Sequence, residues 1–487
     1  MLKWIKENKN SILVIFLMYV LQISAILRAN YLYADDMGRN MEGYTGNAFD
    51  SRYLADIISP LINANKRITD ASPMTQILGC LFLAVAAVLL LWFIRRESKI
   101  DILSLACAVM MMSPYFLMNM SYKIDAPFMA LSVLLGFLPL LWKDELWKYI
   151  VAIVLCTLGI CMTYQASSGI LPMMVLMLSF LAYIKGEKEL KDALKFIGIS
   201  AVTYLLSLGF FYVFLMKKVE GDEYFENSAA GITELFPTVI NNLKTLYLTV
   251  VGDFAKWWNI FVVLLVIAFF VTCMKISAKK WYQTLLCFAV TFGLMCVLVI
   301  GPYIVLRNPL LFPRSMYGFC VLLAIMSAVI AQHNSFIAYP GKVIAVVLAW
   351  CFFAFSFTYG NALFEQRRYT EFMMQEVAYD LTDLEEYIDC DKREVEIKGT
   401  IGYCPVIESL PYDYDLIRTM TPIYFAQTDS AWNNYYFYRY LKLEGIENVK
   451  DLDSTGFELV QQSAYHKIYN KGNQFIVELS YEYGGEN

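Results

Sequence analysis

Long apolar blocks alternate with short polar segments over the first 360 residues of this 487-residue chain. Most blocks are about 17–25 residues long, the length of helix that crosses the hydrocarbon core of a bilayer. The pattern predicts about eleven membrane-spanning helices. Their predicted ranges are 11–29, 74–94, 101–120, 125–142, 148–165, 168–184, 194–215, 258–274, 282–305, 314–331 and 342–360. We therefore predict an α-helical polytopic membrane protein.

Basic residues accumulate in every second short loop. The basic positions are Lys3, Lys6, Lys9, Arg95, Arg96, Lys99, Lys143, Lys148, Lys185, Lys188, Lys191, Lys275, Lys279, Lys280 and Lys342. Cytoplasmic loops of membrane proteins are enriched in lysine and arginine. The pattern therefore predicts a cytoplasmic N-terminus in the plasma membrane. With an odd number of spans, the C-terminus lies outside.

Two outer loops are long, at about 30–73 and 217–257. In the first, apolar residues recur at helical spacing between Phe49 and Ile62, with polar residues between them. This predicts an amphipathic helix that either lies in the membrane interface or packs on top of the bundle. Residues 235–251 of the second loop predict a similar interfacial helix.

The composition changes after residue 360. A helix is predicted at 365–388 and another at 433–443, with short strands at 395–397, 457–460 and 474–479. We therefore divide the chain into a membrane domain, residues 1–360, and an extracytoplasmic α+β domain, residues 361–487. The latter is long enough to bury its own core.

Composition supports the membrane assignment and excludes other classes. The chain is 58% hydrophobic and only 17% charged, below the usual quarter for soluble domains. The sequence has no basic tract of the kind that binds nucleic acid. Most cysteines lie in apolar blocks; Cys390 and Cys404 lie in the polar C-terminal region, and whether they pair is left open. No CxxC motif or histidine cluster predicts a zinc site.

Ionisable residues gather at the predicted outer ends of the helices. They are Asp35, Asp36, Arg39, Asp50, Arg52, Lys123, Asp125, Arg307 and Arg314. An ion-coupled transporter more often carries charges near the membrane midplane. A cluster on one side favours chemistry at the outer interface.

The types of residue in this cluster suggest glycosyl transfer. Of two neighbouring carboxylates, one has a raised pKa and can act as a base toward a hydroxyl. Arginine and lysine at headgroup level can hold a phosphate. Simpler interpretations remain: Asp35 caps a helix or pairs with Arg39, and Lys123 pairs with Asp125. Arg307 and Arg314 then anchor helix ends, and Tyr122, Tyr164 and Tyr317 are interfacial belt aromatics rather than sugar platforms.

The first outer loop carries a resemblance to a known family. Residues 33–39 (Tyr-Ala-Asp-Asp-Met-Gly-Arg), 43–46 (Gly-Tyr-Thr-Gly) and 50–56 (Asp-Ser-Arg-Tyr-Leu-Ala-Asp) resemble the corresponding loop of bacterial GtrII-type glucosyltransferases. Phage-encoded enzymes that convert O-antigen serotype belong to that family. The resemblance extends over the membrane region, through residues 122–125 (Tyr-Lys-Ile-Asp) and 307–314.

The resemblance implies a GT-C fold, a catalytic carboxylate in the first outer loop and an amphipathic interfacial helix. It also implies a polyprenyl-phosphate sugar as donor, typically glucose, and a surface glycan as acceptor. Asp35 and Asp36 match the catalytic acidic pair, with Asp36 slightly preferred as the base. Arg39 and Arg52 match positions of the same loop.

We therefore predict an inverting hexosyltransferase on the outer face of the plasma membrane. Its predicted substrate-binding residues are Arg39, Asp50, Arg52, Tyr122, Lys123, Asp125, Gln165, Arg307 and Arg314. No obligatory cofactor is predicted, although a divalent metal is compatible with the chemistry. The alternatives are a transporter of polysaccharide or lipid-linked sugar, for which Gln22, Gln76 and Gln165 form only a sparse polar path, and a non-catalytic assembly partner.

Overall fold

Two compact units make up the chain. The computed structural model describes residues 2–33, 35–95, 100–112, 114–217, 230–231, 233–333, 338–388, 392–411, 414–425 and 446–479. The first unit comprises Met1–Ser24, Thr45–Lys66 and Ala71–Thr358. The second comprises Ala25–Tyr44, Arg67–Asp70 and Tyr359–Asn487. The start of the first outer loop therefore belongs to the same compact unit as the C-terminal region.

The first unit is entirely helical in its described part. Its α-helices are Leu2–Gln22, Tyr53–Ile62, Met74–Ile94, Ile102–Met112, Phe116–Ser121, Ala126–Phe137, Leu146–Cys161, Ile170–Ile184, Leu190–Phe210, Leu235–Asp253, Lys256–Ile276, Trp281–Leu298, Pro313–Met316 and Gly318–Gln332. Short 3-10 turns add Leu138–Trp142, Gln165–Gly169 and Gly301–Val305, and a π-helical turn covers Phe211–Leu215.

Eight helices in the described part of the chain are long and apolar enough to cross a membrane. Three further predicted spans are shorter apolar helices, namely Ile102–Met112, Ala126–Trp142 and Leu146–Cys161. The prediction of a polytopic helical membrane protein is thus confirmed. The predicted orientation stays a prediction.

Two predicted helix boundaries are wrong. The predicted span 101–120 is interrupted between Met112 and Phe116, where Pro114 lacks the N–H that a continuous helix needs. The predicted helices 342–360 and 365–388 instead form one 44-residue helix, Tyr339–Thr382, followed by the short helix Glu385–Ile388. No proline follows Pro340 in that helix, so nothing local stops it at the end of its apolar part.

The amphipathic helix predicted in the first outer loop is present as Tyr53–Ile62. Phe49, Ile57 and Leu61 are each about two-thirds or more exposed, while Ala55 and Ser59 are buried. The second predicted interfacial helix is Leu235–Asp253, with Phe236 and Tyr247 similarly exposed. Both helices present an apolar face that the first unit leaves uncovered.

A five-stranded sheet forms the core of the C-terminal region. Its strands are β1 (Arg393–Lys398), β2 (Ile446–Asn448), β3 (Glu458–Gln462), β4 (His466–Lys471) and β5 (Gln474–Leu479), in the order β2-β1-β5-β4-β3. β1 runs parallel to β2 and β5, whereas β3, β4 and β5 are antiparallel neighbours. The α+β class is confirmed.

Three of these strands match predicted ones, but β2 and β4 were missed. β4 contains two apolar residues, Ile468 and Tyr469, which are adjacent and flanked by polar ones, and β2 is only three residues long. Patterns this short cannot be told from a loop in the sequence. The predicted helix 433–443 and Cys390 lie outside the described residues, so the pairing of Cys390 with the buried Cys404 stays open.

Candidate active site

The adjacent aspartates lie at the start of a short helix in the second unit, Asp36–Glu42, which we call the acidic helix. The Tyr33 carbonyl accepts the Asp36 N–H at 3.0 Å, and the Asp35 carbonyl accepts the Arg39 N–H at 3.1 Å. Asp36 is in the first turn, where a carboxylate is favoured by the exposed backbone N–H groups. Asp36 is 1% exposed and Arg39 4%, so this turn is a buried, charged element.

Gly43 ends the helix with φ +75°, and its N–H donates to the Arg39 carbonyl at 2.8 Å. A left-handed residue at this position is the usual helix stop, and glycine adopts it without steric cost. A Cβ at Gly43 would also overlap the Arg67 side chain. The end of the acidic helix is therefore set by one glycine packed under one arginine.

Residues 67–70 hold the C-terminal half of the acidic helix. Arg67 Nη2 donates to the Met41 carbonyl at 2.7 Å. The Asn40 side-chain oxygen accepts from Thr69 Oγ1 at 3.2 Å and from the Asp70 N–H at 3.1 Å. These bonds hold the returning chain against the helix.

The charges of this helix act on Tyr44. Burial raises the pKa of the Tyr44 phenol, Arg39 lowers it, and Asp35 and Glu42 raise it further. The net pKa is above its usual value. Asp35, Arg39 and Glu42 thus share one electrostatic environment with a tyrosine that is 40% exposed.

A second cluster, in the first unit, is centred on Arg52. Arg52 Nη1 lies 3.1 Å from Asp50 Oδ2, and Nε donates to Gln165 Oε1 at 3.3 Å. Gln165 Nε2 in turn donates to the Asp50 carbonyl at 3.0 Å. The Arg52 guanidinium carbon lies 4.9 Å from the centroid of the Tyr164 ring. Three predicted residues are therefore joined in one ring of contacts.

The environment of Arg52 favours its charged form. Burial lowers the pKa of Arg52, but Asp50 raises it, as do Tyr164, Tyr303 and Asp125, and the net pKa is above the usual value. Asp125 therefore lies close enough to act on the guanidinium.

Arg314 forms a neighbouring cluster with Tyr122. Its Nη1 donates to the Tyr122 hydroxyl at 2.6 Å. Its carbonyl accepts from Asn119 Nδ2 at 3.0 Å and from the Tyr164 hydroxyl at 3.1 Å. Because Tyr164 also underlies Arg52, the two arginine clusters are connected through a single ring.

The turn between Phe116–Ser121 and Ala126–Phe137 carries two further predicted residues. Lys123 is 3% exposed and Asp125 is 4% exposed. Ionised groups buried to this extent need compensating contacts. Their burial therefore agrees with a polar site, and the alternative that Lys123 pairs with Asp125 stays a prediction.

Close backbone packing fixes the turn Gln165–Gly169 in the first unit. Gly169, at the end of the 165–169 turn, lies so close to the Leu298 carbonyl that a Cβ would overlap it. Ser167 Oγ is 2.5 Å from the Tyr317 hydroxyl and 2.6 Å from Ser132 Oγ. Gln165 is thereby fixed at the edge of a rigid turn.

Arg307 has different surroundings from the other two arginines. Its Nη2 lies 3.1 Å from Glu234 Oε2, and both side chains are about half exposed. The backbone beside it is fixed by Asn242 Nδ2, which donates to the Ile304 and Leu306 carbonyls. Arg307 is thus part of an exposed ion pair between two segments.

The structure corrects the interpretation of three tyrosines as interfacial belt residues. It also places two polar side chains, Asn119 and Asp253, that the sequence analysis did not single out. Tyr122, Tyr164 and Tyr317 are each no more than 3% exposed and hydrogen-bonded, so they are not lipid-facing belt residues. Asn119 was missed, although an amide in an apolar segment is a recognisable signal. Asp253, whose carboxylate accepts from Tyr115 at 2.8 Å, was also missed.

Each predicted site residue therefore has a defined place. Asp35, Asp36 and Arg39 lie on one short helix in the second unit. In the first unit Asp50, Arg52 and Gln165 form one group with Asp125 nearby, and Tyr122 and Arg314 form another. Lys123 is buried in the turn that follows Phe116–Ser121, and Arg307 is paired with Glu234. In the described part of the chain, no three His, Cys, Asp or Glu side chains come together as a metal site would require. The catalytic and binding roles stay predictions.

Comparison with known proteins gives three findings. The family model described as glucosyl transferase GtrII matches residues 24–330, well over half of the chain. The chain is 24% identical over 425 residues to a protein of Salmonella phage P22 described as an uncharacterized 55.3 kDa protein in the gtrB 5′ region. That alignment covers 82% of this chain and 83% of the phage protein.

The third finding concerns a solved structure. The crystal structure of ArnT from Cupriavidus metallidurans bound to undecaprenyl phosphate aligns over 92% of this chain and 90% of its own, with 9% identity and a TM-score of 0.35. A score of that size does not establish a shared fold.

Proposed function

The chain belongs to the GtrII glucosyltransferase family, and on that premise we propose that it transfers a hexose from a polyprenyl-phosphate donor to a cell-surface glycan. Glucose is the first candidate for the hexose. The transfer takes place on the outer face of the plasma membrane and inverts the anomeric carbon. The GT-C architecture of such enzymes is part of the same proposal.

The observation that carries the proposal is the burial of Asp36 in the acidic helix. A carboxylate that is 1% exposed and belongs to a hydrogen-bonded helical turn has a defined position, as a general base requires. Its neighbour Asp35 adds a second carboxylate at the same turn. A family that uses an acidic pair in this loop explains why both are present.

The proposed reaction is one displacement. Asp36, or Asp35, takes the proton of the acceptor hydroxyl. The hydroxyl oxygen forms a bond to the anomeric carbon while the bond from that carbon to the phosphate oxygen breaks. Polyprenyl phosphate leaves with the bonding electrons.

The leaving phosphate needs positive charge nearby. Arg314 is the strongest candidate, because Tyr122 orients its guanidinium and the two bonds to its carbonyl hold its backbone. Arg52 is the second, since its charged form is favoured and Tyr164 supports its plane. Lys123 is buried in the adjoining turn and adds to the same field. Arg307 is the weakest, because Glu234 already balances its charge in an exposed pair.

A reconstituted assay tests the reaction class. Purified protein in lipid vesicles receives labelled polyprenyl-phosphate glucose and a glycan acceptor, and release of polyprenyl phosphate is followed. The wild type is compared with Asp35→Asn, Asp36→Asn and, as a matched control, Asp144→Asn, an exposed aspartate in another loop. We expect release in the wild type and the control, and loss of at least about 100-fold for the variant that removes the base.

The other outcomes are also informative. If no polyprenyl phosphate is released from the glucose donor, the assay is repeated with galactose and N-acetylglucosamine donors. Should every donor stay intact while labelled sugar appears inside the vesicles, the transferase proposal falls and the transporter alternative replaces it. Equal activity of both Asn variants and the wild type excludes the acidic pair as the base.

The remaining parts of the proposal concern topology, cofactors and the C-terminal region. We propose a cytoplasmic N-terminus, a membrane domain of residues 1–360 and an extracytoplasmic domain of residues 361–487, with no obligatory metal. The alternation of basic loops supports the orientation. Reporter fusions that are active only outside the cell, placed after residue 360 and at the C-terminus, test it. Unchanged release in the presence of a chelator tests the metal.

A further inference from the structure

Tyr33 connects the acidic helix to the C-terminal region. Its side chain is 2% exposed, and its hydroxyl donates to the Met420 carbonyl. Its own carbonyl accepts the Asp36 N–H at 3.0 Å. A single residue therefore joins the first turn of the acidic helix to a backbone atom almost 400 positions later in the chain. All of these residues belong to the second unit.

Tyr31 makes a second, parallel connection. Its hydroxyl donates to the Pro422 carbonyl at 2.9 Å, and its ring centroid lies 5.4 Å from that of Tyr424. The Tyr359 hydroxyl reaches the Met420 carbonyl as well, at 3.3 Å. One carbonyl can accept two such bonds because it has two lone pairs. Three tyrosines thus converge on the segment 420–425.

The residues that lead into the acidic helix also bond to the 44-residue helix Tyr339–Thr382. Arg367 Nη1 donates to the Ala29 carbonyl at 3.1 Å, and Arg28 Nη2 donates to Asn361 Oδ1 at 2.5 Å. A Cβ on Gly360 would lie 2.6 Å from the Ala25 side chain. Residues 25–33 therefore cannot shift without moving this helix.

The segment that receives the tyrosines is itself well supported. Met420 and Phe425 are fully buried, and the Phe425 carbonyl accepts the Ile401 N–H at 3.3 Å. Thr421 Oγ1 donates to the Ile417 carbonyl at 2.7 Å. The backbone carbonyls of this buried segment therefore have fixed positions, and water does not compete for them.

We propose that Tyr33 and Tyr31 are positioning residues and that segment 420–425 is the support that holds Asp36 in its reactive position. This rests on the proposed function, because it assumes that the acidic helix supplies the base. A base works only within hydrogen-bond reach of its proton, and a misplacement of about 1 Å can cost about 100-fold in rate. The C-terminal region then acts as part of the catalytic unit, whatever it does toward the acceptor.

The test uses variants that remove only hydroxyl groups, in the full-length protein. Tyr33→Phe and Tyr31→Phe keep the rings. Tyr469→Phe is the matched control, because its hydroxyl also makes a hydrogen bond in the second unit, to Glu478 Oε2 at 3.0 Å, which joins β4 to β5 rather than to segment 420–425. We expect Tyr33→Phe to lower kcat by about 10- to 100-fold with less than about a threefold change in the donor KM. Tyr31→Phe should have a smaller effect, and the control should match the wild type.

A double-mutant cycle separates positioning from general destabilisation. If Tyr33 acts through Asp36, Tyr33→Phe adds no further loss of single-turnover rate in an Asp36→Asn background. An undiminished loss in that background overturns the proposal, as does a Tyr469→Phe effect equal to that of Tyr33→Phe.

Hydrogen exchange measures how firmly the acidic helix is held, independently of enzyme activity. Peptides covering 36–42 should exchange faster in Tyr33→Phe and Tyr31→Phe than in the wild type and in Tyr469→Phe. Unchanged exchange overturns the proposal, and thermal melting of each variant excludes global unfolding as the cause of any change. A wild type that releases no polyprenyl phosphate from any donor refutes the proposed function and the catalytic role of the support together. Exchange would then report only whether the support exists.

Discussion

Arg314 donates a 2.6 Å hydrogen bond from Nη1 to the hydroxyl of Tyr122, and its guanidinium carbon lies 5.5 Å from the centroid of that ring. The two residues are 192 positions apart in the chain. A phenol oxygen accepts this hydrogen bond and so orients the guanidinium. Arg307 instead contacts the Glu234 carboxylate in an exposed pair.

Arg314→Gln should therefore lower the rate of polyprenyl-phosphate release by about 100-fold, the loss expected when charge stabilisation of a leaving group is removed. Arg307→Gln is the matched comparison. It should change the rate by less than about threefold, because an exposed ion pair contributes about 0–1 kcal/mol. The initial rate at saturating donor measures both. A larger loss in Arg307→Gln than in Arg314→Gln would reverse the assignment.

Replacing Arg52 by lysine should not be conservative. Lysine keeps the charge but cannot contact Asp50 and Gln165 while also lying flat against Tyr164. We expect Arg52→Lys to lose about tenfold or more in kcat/KM for the donor, and Arg52→Gln to lose more. The measurement is the donor concentration dependence of release. Full activity of Arg52→Lys would mean that only charge matters at this position.

Gly169→Ala should disrupt the packing of the turn Gln165–Gly169 against Leu298. The added methyl would overlap the Leu298 carbonyl oxygen, and a backbone atom cannot move aside as a flexible side chain can. Overpacking of this kind costs about 1–3 kcal/mol, occasionally more. The control is Gly198→Ala, a helical glycine with nothing within 4 Å of an added Cβ, which should be neutral or stabilising. Thermal melting in detergent compares the two.

The ion pair between Arg95 and Asp101 gives a pH-dependent prediction. Partial burial raises the pKa of Asp101, but hydrogen bonds from Arg95 and Ser104 outweigh it and hold that pKa at about 2. A carboxylate with a depressed pKa stabilises the fold above its unfolded pKa of about 4, and this contribution is lost as the pH falls toward 2.

Asp101→Asn should therefore lower Tm by about 1–2 °C at pH 7, a small effect because the side chain is 44% exposed. The difference from the wild type should persist down to about pH 5 and shrink below pH 4. Melting curves at several pH values check this, with Asp144→Asn as the exposed control. A difference that grows on acidification contradicts the sign of the prediction.

Helix existence could be predicted from the sequence more reliably than helix ends. The apolar block at 74–94 coincides with Met74–Ile94, since a bilayer-length apolar run leaves the backbone no other way to satisfy its hydrogen bonds. The end of Tyr339–Thr382 could not be predicted, because nothing local breaks that helix. The short strand β2 could not be predicted either, because three residues carry too little periodicity to identify a strand.

Composition, apolar run length and a local motif are properties of consecutive residues, so the membrane class, the acidic pair at Asp35 and Asp36, and the family follow from the sequence. The contact of Arg314 with Tyr122, the pairing of Arg307 with Glu234, and the bond from Tyr33 to the Met420 carbonyl become visible in the folded chain. These pairings join residues tens to hundreds of positions apart, and the packing of whole helices and of the C-terminal core brings them together. No local pattern in a single sequence carries that information.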